Sequence, residues 1–138
     1  YPGAGRAWVF HGKEGGVSGD VSWSLGVFQA GAAYGISVAG VGDTDADGYD
    51  DLLVGASLFD NGQADEGRVY LYVGSATGLG GTVWQKEGNQ AGAQFGGCVA
   101  SAGDIDGDSQ ADAVIGAALY DWDSPNMGKA VAYYGKQH

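Results

Sequence analysis

Hydrophobic residues in this chain come in short bursts, each closed by a glycine- or aspartate-rich turn. Leu52-Leu53-Val54-Gly55-Ala56 and Ala113-Val114-Ile115-Gly116-Ala117 are apolar throughout, as in strands covered on both faces. Arg68, Tyr70 and Tyr72 alternate with Val69, Leu71 and Val73, the period of a strand. No stretch sustains a helical period. The pattern predicts four strands: Tyr34 to about Val41, Asp51 to Ala56, Arg68 to Val73, and one around Thr82 to Lys86 that carries Trp84. The first two, rich in glycine and alanine, suit places where neighbouring sheets approach closely. The third reads as a strand nearer a rim.

The same unit recurs at an offset of 61 residues. Trp23 maps to Trp84, Gln29-Ala30-Gly31-Ala32 to Gln90-Ala91-Gly92-Ala93, Tyr34-Gly35 to Phe95-Gly96 and Gly55-Ala56 to Gly116-Ala117. A partial third copy lies at the N-terminus, where Gly5-Arg6-Ala7-Trp8 aligns with Gly67-Arg68-Val69-Tyr70. Four-stranded antiparallel units repeated in this way predict an all-β fold of propeller blades, and the WD40 and kelch signatures are missing. The expected division is a partial blade over residues 1–33 (third and fourth strands), a complete blade over 34–94, and a partial blade over 95–138 (first to third strands). That makes two blades plus one strand. A closed propeller has typically about four to eight blades, so the ring must be completed by oligomerisation or by missing parts of a longer chain. Head-to-tail joining of copies would bring five strands to each junction, and one third strand would have to be displaced or exchanged.

Composition agrees with many short strands. The 138 residues include 28 glycines, far above the usual ~7%, without a collagen period. No apolar run approaches the roughly 18 residues of a membrane-spanning helix. The chain opens Tyr1-Pro2-Gly3, with neither an initiator methionine nor a signal-peptide pattern, as a processed form or an excised piece would.

The formal charge of −11 is concentrated: nine of 17 acidic residues lie in two loops. These are Asp43-Thr44-Asp45-Ala46-Asp47-Gly48-Tyr49-Asp50-Asp51 and Asp104-Ile105-Asp106-Gly107-Asp108-Ser109-Gln110-Ala111-Asp112. Carboxylates at loop positions 1, 3, 5 and 9 repel one another unless a hard cation lies between them, and Ca²⁺ accepts about six to eight oxygen ligands at flexible geometry. Two such ions per chain would bring the net charge to about −7, a balance that still disfavours nucleic acid or an anionic membrane surface. An EF-hand is excluded, because its position 12 requires Glu and is Val54 or Ile115 here. Asp50, whose counterpart is Ala111, reads as a non-ligand. With no His, Cys or other nucleophile in the loops, metal-assisted hydrolysis has little support, and paired glycosidase carboxylates are a poorer reading than a repeated metal cage.

Other residues read as structural. Trp23 and Trp84 are expected to pack, Cys98 to be a small buried residue in the place of Ser37, and His11 and His138 to lie on the surface. Gly12-Lys13-Glu14-Gly15-Gly16 lacks the spacing of a phosphate-binding loop.

Tyr34-Gly35 and Phe95-Gly96, each followed by Asp-x-Asp-x-Asp and then Gly55-Ala56-Ser57 or Gly116-Ala117-Ala118, resemble FG-GAP repeats. Those repeats build the seven-bladed propeller of integrin α subunits and related bacterial surface proteins. The resemblance implies Ca²⁺ ligation by Asp43, Asp45, Asp47, the Tyr49 carbonyl and Asp51, and by Asp104, Asp106, Asp108, the Gln110 carbonyl and Asp112. The chain departs from the family pattern at Ser109, where the first loop has Gly48, and in lacking proline after Gly-Ala.

The resemblance also implies that the face opposite the calcium loops binds partners. There Tyr120, Asp121, Trp122 and Asp123 stand out over their counterparts Phe59, Asp60, Asn61 and Gly62 as an aromatic, acidic corner for protein or sugar. The expected function is a non-enzymatic calcium-binding module for extracellular or cell-surface adhesion or ligand recognition, without nucleic acid or membrane insertion. Its rivals are a carbohydrate-binding lectin, an accessory propeller domain of a secreted or surface enzyme, and a scaffold with no ligand beyond calcium.

Overall fold

The computed structural model describes residues 1–136, so the expectation for His138 lies outside the described residues. Eleven strands follow one another: β1 (Ala7–Val9), β2 (Gly12–Lys13), β3 (Gly16–Val17), β4 (Trp23–Leu25), β5 (Tyr34–Gly42), β6 (Asp51–Ala56), β7 (Arg68–Tyr72), β8 (Thr82–Glu87), β9 (Cys98–Gly103), β10 (Asp112–Ala117) and β11 (Lys129–Tyr133). No helix occurs among the described residues, and hence none long and apolar enough to cross a membrane.

Strands β5-β6-β7-β8 form an antiparallel sheet in sequence order, β9-β10-β11 a second, and β1 pairs with β4 in a third. The four central strands match the predicted ones within a residue at each end. Beyond the nine expected strands there is a small hairpin of β2 and β3, turning at Glu14-Gly15 between Lys13 and Gly16. Its four strand residues are all exposed, so no burial pattern announced it.

The four-stranded sheet is covered on both faces. Leu53, Val69 and Leu71 point to one side and join Phe95, Val99, Ala113 and Ile115 of the following sheet. Val54, Ala56, Tyr70 and Tyr72 point to the other and meet Ala7, Trp23 and Val27. The alternation in β7 suggested a strand nearer a rim. It does pair third in the sheet, but its residues from Val69 to Tyr72 are all buried because sheets pack on both sides.

The packing repeats with the sequence. Trp23 meets the Tyr72 ring edge-on at 4.9 Å, and Trp84 meets Tyr133 at 5.0 Å, so each fourth-strand tryptophan seats on the third-strand tyrosine of the next sheet. Close approach of the sheets also explains glycine within β6: a Cβ on Gly55 would stand 2.0 Å from the Gly96 carbonyl oxygen. Ser37 Oγ donates to that same oxygen at 2.7 Å. Cys98, the counterpart of Ser37, is instead an exposed free thiol, contrary to expectation. Among the described residues no further sheet covers it, as the Phe95-Gly96 segment covers Ser37.

Candidate metal centres

The two acidic loops leave the ladder at irregularities in register, between Gly40 and Gly42 in the first and between Asp112 and Ala113 in the second. Each loop is closed by its first carboxylate. Asp43 Oδ1 accepts from the Asp47 N–H at 3.1 Å and Oδ2 from Gly48 at 2.8 Å. Asp104 Oδ1 accepts from Gly107 at 2.7 Å and Asp108 at 3.0 Å, and Oδ2 from Ser109 at 2.8 Å. Burial acts to raise the Asp43 pKa, but the N–H groups of Gly48, Asp47, Ala46 and Asp45 together take it below the usual carboxylate value.

This folding gathers oxygens from three residues in each loop. Asp43, Asp45 and Asp51 bring carboxylate oxygens within 4.8 Å of one another, as do Asp104, Asp106 and Asp108. Asp47 and Asp112 stand outside these triads. Asp47 Oδ1 instead accepts from the Tyr49 N–H at 2.9 Å, and Asp108 Oδ1 from that of Gln110 at 2.8 Å. Tyr49 and Gln110, whose carbonyls complete the sets implied by resemblance, thus follow directly in each turn.

The donor set fits a hard divalent cation: oxygen only, crowded and uncompensated. Loss of water and then the charges of Asp47 and Asp51 push the Asp45 pKa upward. Loss of water does the same at Asp106, aided by the charges of Asp108, Asp112 and Asp104. The one ion pair among the described residues, Arg68 with Glu87, lies at the opposite end of the sheet. A cation among these carboxylates would remove the repulsion.

The acid at position nine has a second task that the sequence did not disclose. Asp51 and Asp112 are almost fully buried. Asp51 Oδ2 accepts from the Thr44 N–H at 2.9 Å and from the Thr44 hydroxyl, while Oδ1 accepts from Gly74 N–H at 2.9 Å. Asp112 repeats this with Ile105 at 2.7 Å and Gly135 at 2.9 Å. Each therefore ties its loop to the chain leaving the third strand. The 61-residue spacing of Gly74 and Gly135 was the available signal.

Both loops turn through two left-handed residues, and glycine occupies only one of them in each. Ala46 (φ 63°) precedes Gly48 (φ 91°) in the first; Gly107 (φ 80°) precedes Ser109 (φ 73°) in the second. Left-handed backbone costs a side-chain-bearing residue about 1–2 kcal/mol. Ser109→Gly is therefore expected to stabilise the fold by about 0.5–1 kcal/mol after the added freedom of the unfolded chain is subtracted, as a higher urea midpoint at unchanged slope.

Comparison with known proteins agrees with this repeat geometry. The FG-GAP repeat profile matches residues 34–72, the first three strands of the central sheet and the first acidic loop. The chain is 36% identical over 120 residues to integrin alpha pat-2 of Caenorhabditis briggsae, covering 83% of this chain and 9% of that protein. It is 35% identical over 118 residues to integrin alpha-PS2 of Drosophila melanogaster (76% and 8%), and 34% over 98 residues to integrin alpha-V of Gallus gallus (67% and 9%).

The chain belongs to the FG-GAP repeat family.

It is an integrin-like FG-GAP module, and it spans about a tenth of the length of these relatives. At the end of the FG-GAP sheets away from the acidic loops, a glutamine in each repeat staples two loops. Gln29 Nε2 donates to the Asp60 carbonyl at 2.8 Å while its Oε1 accepts from Asp60 N–H at 2.7 Å. Gln90 and Asp121 do the same at 2.9 and 2.6 Å. Asp121 Oδ1 also accepts from Asn126 N–H at 2.6 Å, as Asp60 Oδ1 does from Asp65.

Asp121 is thus committed to its own loop corner. Tyr120 is half-buried, with its ring 5.2 Å from that of Trp122, and Lys129 Nζ lies over both at 4.5 and 5.5 Å. Arg68 lies over Phe59 at 4.0 Å in the corresponding place. Trp122 (60% exposed) and Asp123 remain open to solvent. Glu66, which the pattern did not single out because its counterpart is Met127, is buried and accepts from Asn61 and Asn89 N–H at 2.8 and 3.1 Å.

Proposed function

We propose that this chain is a calcium-stapled part of an integrin-like propeller that serves extracellular adhesion or ligand recognition without catalysis. The observation that carries the reading is a carboxylate triad in each of the two acidic loops, sharing positions one and three and completed by position nine (Asp51) in the first and position five (Asp108) in the second. Asp43, Asp45 and Asp51, with Asp47 and the Tyr49 carbonyl completing the turn, would hold one Ca²⁺. Asp104, Asp106 and Asp108, with Asp112 and the Gln110 carbonyl, would hold the other. Bound Ca²⁺ neutralises the crowded carboxylates and fixes the loop between the first two strands of each sheet. The ions are staples, and recognition belongs to the opposite face, where Trp122 and Asp123 are exposed beside Tyr120. Resemblance to integrin α chains supports a protein or carbohydrate partner and a setting outside the cell. The ring would be completed by further blades or by copies of the chain.

Isothermal titration should count two Ca²⁺ per chain in the unaltered protein and one in each of Asp43→Ala and Asp104→Ala. Unchanged stoichiometry in both variants would remove these loops as the sites.

A further inference from the structure

We infer that the two calcium loops are coupled through the backbone, so that an ion at either site raises the affinity of the other. The inference rests on the calcium reading above, but its evidence is separate: a set of hydrogen bonds joining one loop to the next. Ala111 N–H donates to the Asp43 carbonyl at 2.8 Å. Ala111 stands between Gln110 and Asp112 of the second site, while Asp43 opens the first. A second connection is longer. The buried Asp112 carboxylate holds Gly135 N–H at 2.9 Å, and the next residue, Lys136, donates its N–H to the Thr44 carbonyl at 2.8 Å. Thr44 in turn gives both its N–H and its hydroxyl to Asp51 Oδ2. The position-nine acids of the two loops are thus the ends of one chain of bonds: Asp112, Gly135-Lys136, Thr44, Asp51. The junction has little slack, since a Cβ on Gly135 would lie 2.7 Å from both the Thr44 and the Ala111 carbonyl oxygens.

The physical consequence follows from ordering. An empty loop of mutually repelling carboxylates must be fixed when its ion arrives, and that loss of freedom opposes binding. Once the second loop is fixed, Ala111 and Lys136 present their N–H groups to Asp43 and Thr44 in a settled position. The first loop then has less freedom left to lose. Linkage makes the effect reciprocal. Direct electrostatics acts in the opposite sense, because each bound ion lessens the negative potential that attracts the next. At about 0.15 M salt, with a Debye length of about 8 Å, that long-range term is damped for exposed carboxylates, whereas the bonded path is unaffected. The expected net coupling is positive and about tenfold in affinity.

The test is a Ca²⁺ titration of the chain by NMR at about 0.15 M salt, with the amides of Gly48 and Gly107 reporting the first and second loops. Asp106→Asn/Asp108→Asn empties the second loop at two exposed positions and leaves the buried Asp112 in place. In this variant the Gly48 midpoint should move to about tenfold higher Ca²⁺, and in Asp45→Asn/Asp47→Asn the Gly107 midpoint should move by the same factor. Midpoints unchanged in both variants would overturn the coupling while leaving two independent calcium sites. Absence of any shift at Gly48 and Gly107 in the unaltered protein up to about 10 mM Ca²⁺ would remove the calcium reading and the coupling together. Should a variant not fold, the unaltered protein still decides: coupled loops titrate with a Hill coefficient above 1, independent loops with a coefficient of 1.

Discussion

Asp51→Ala is expected to destabilise the fold by about 3–5 kcal/mol even in the presence of a calcium chelator. The buried carboxylate accepts three hydrogen bonds, from the Thr44 N–H and hydroxyl and from Gly74 N–H. Hydrogen bonds to a charged group are worth about 1.5–3 kcal/mol each, and donors left buried without an acceptor cost a further ~1–3 kcal/mol. Relaxation and entering water reduce that sum, hence the stated range. Asp45→Ala is the control: its carboxylate accepts only one weak loop N–H bond, from Asp47 at 3.2 Å, and it suffers repulsion without an ion. In chelator Asp45→Ala should therefore be as stable as the unaltered protein or slightly more so, and should lose stability only relative to the calcium-bound form. Urea unfolding of both variants with and without Ca²⁺ separates the roles. An Asp51→Ala protein that matches the unaltered chain in chelator would show that the position-nine acid acts only through metal.

Calcium removal should have the other large effect. A ligand that binds only the folded state stabilises it by about 2.7 kcal/mol per site at 100 times its dissociation constant. Two filled loops therefore contribute about 5 kcal/mol, comparable with the whole stability of a small domain at its lower end. For a chain of this size each kcal/mol moves Tm by roughly 2–4 °C, so chelation should lower Tm by about 10–20 °C in calorimetry. Mg²⁺ should restore less, because it favours a tighter octahedron and sheds its waters reluctantly. A Tm indifferent to chelator would refute the staple role even if ions bind.

Much of this architecture could be read from the residues because local pattern and global packing agree. Strands β5 to β8 were marked by apolar runs, alternation and turn residues, and the 61-residue offset marked Trp23 and Trp84 as equivalent packing residues, which the structure seats on Tyr72 and Tyr133. The acidic loops were legible for the same reason, since carboxylates at fixed spacing carry their own electrostatic argument. What escaped depends on the surroundings of a residue, which its type does not record. Cys98 sits in the place of half-buried Ser37, yet among the described residues only Ser37 has a neighbouring segment laid over it. Asp51 and Asp112 read as ligands like the other acids, whereas burial made them junctions between loop and third strand. Asp121 looked like part of a recognition surface, but Asp60 makes the same loop bonds in the other repeat. Comparing the two copies residue by residue separates what holds every blade from what is peculiar to one.

The central sheet's two covered faces also set an order of opening. Tyr70 and Tyr72 can be uncovered only if the β1–β4 pair detaches, and Val69 and Leu71 only if the following sheet does. In a linear array where each layer touches its neighbours alone, cooperative opening begins with the layers that have one neighbour and reaches the middle last. Amides of β6 and β7 therefore exchange only through the highest-energy opening, whereas those of β1 and β4, held by a three-residue ladder, exchange through a much smaller excursion. For these residues by themselves, protease attack would accordingly begin in the two outer layers, leaving the middle sheet as the last resistant core.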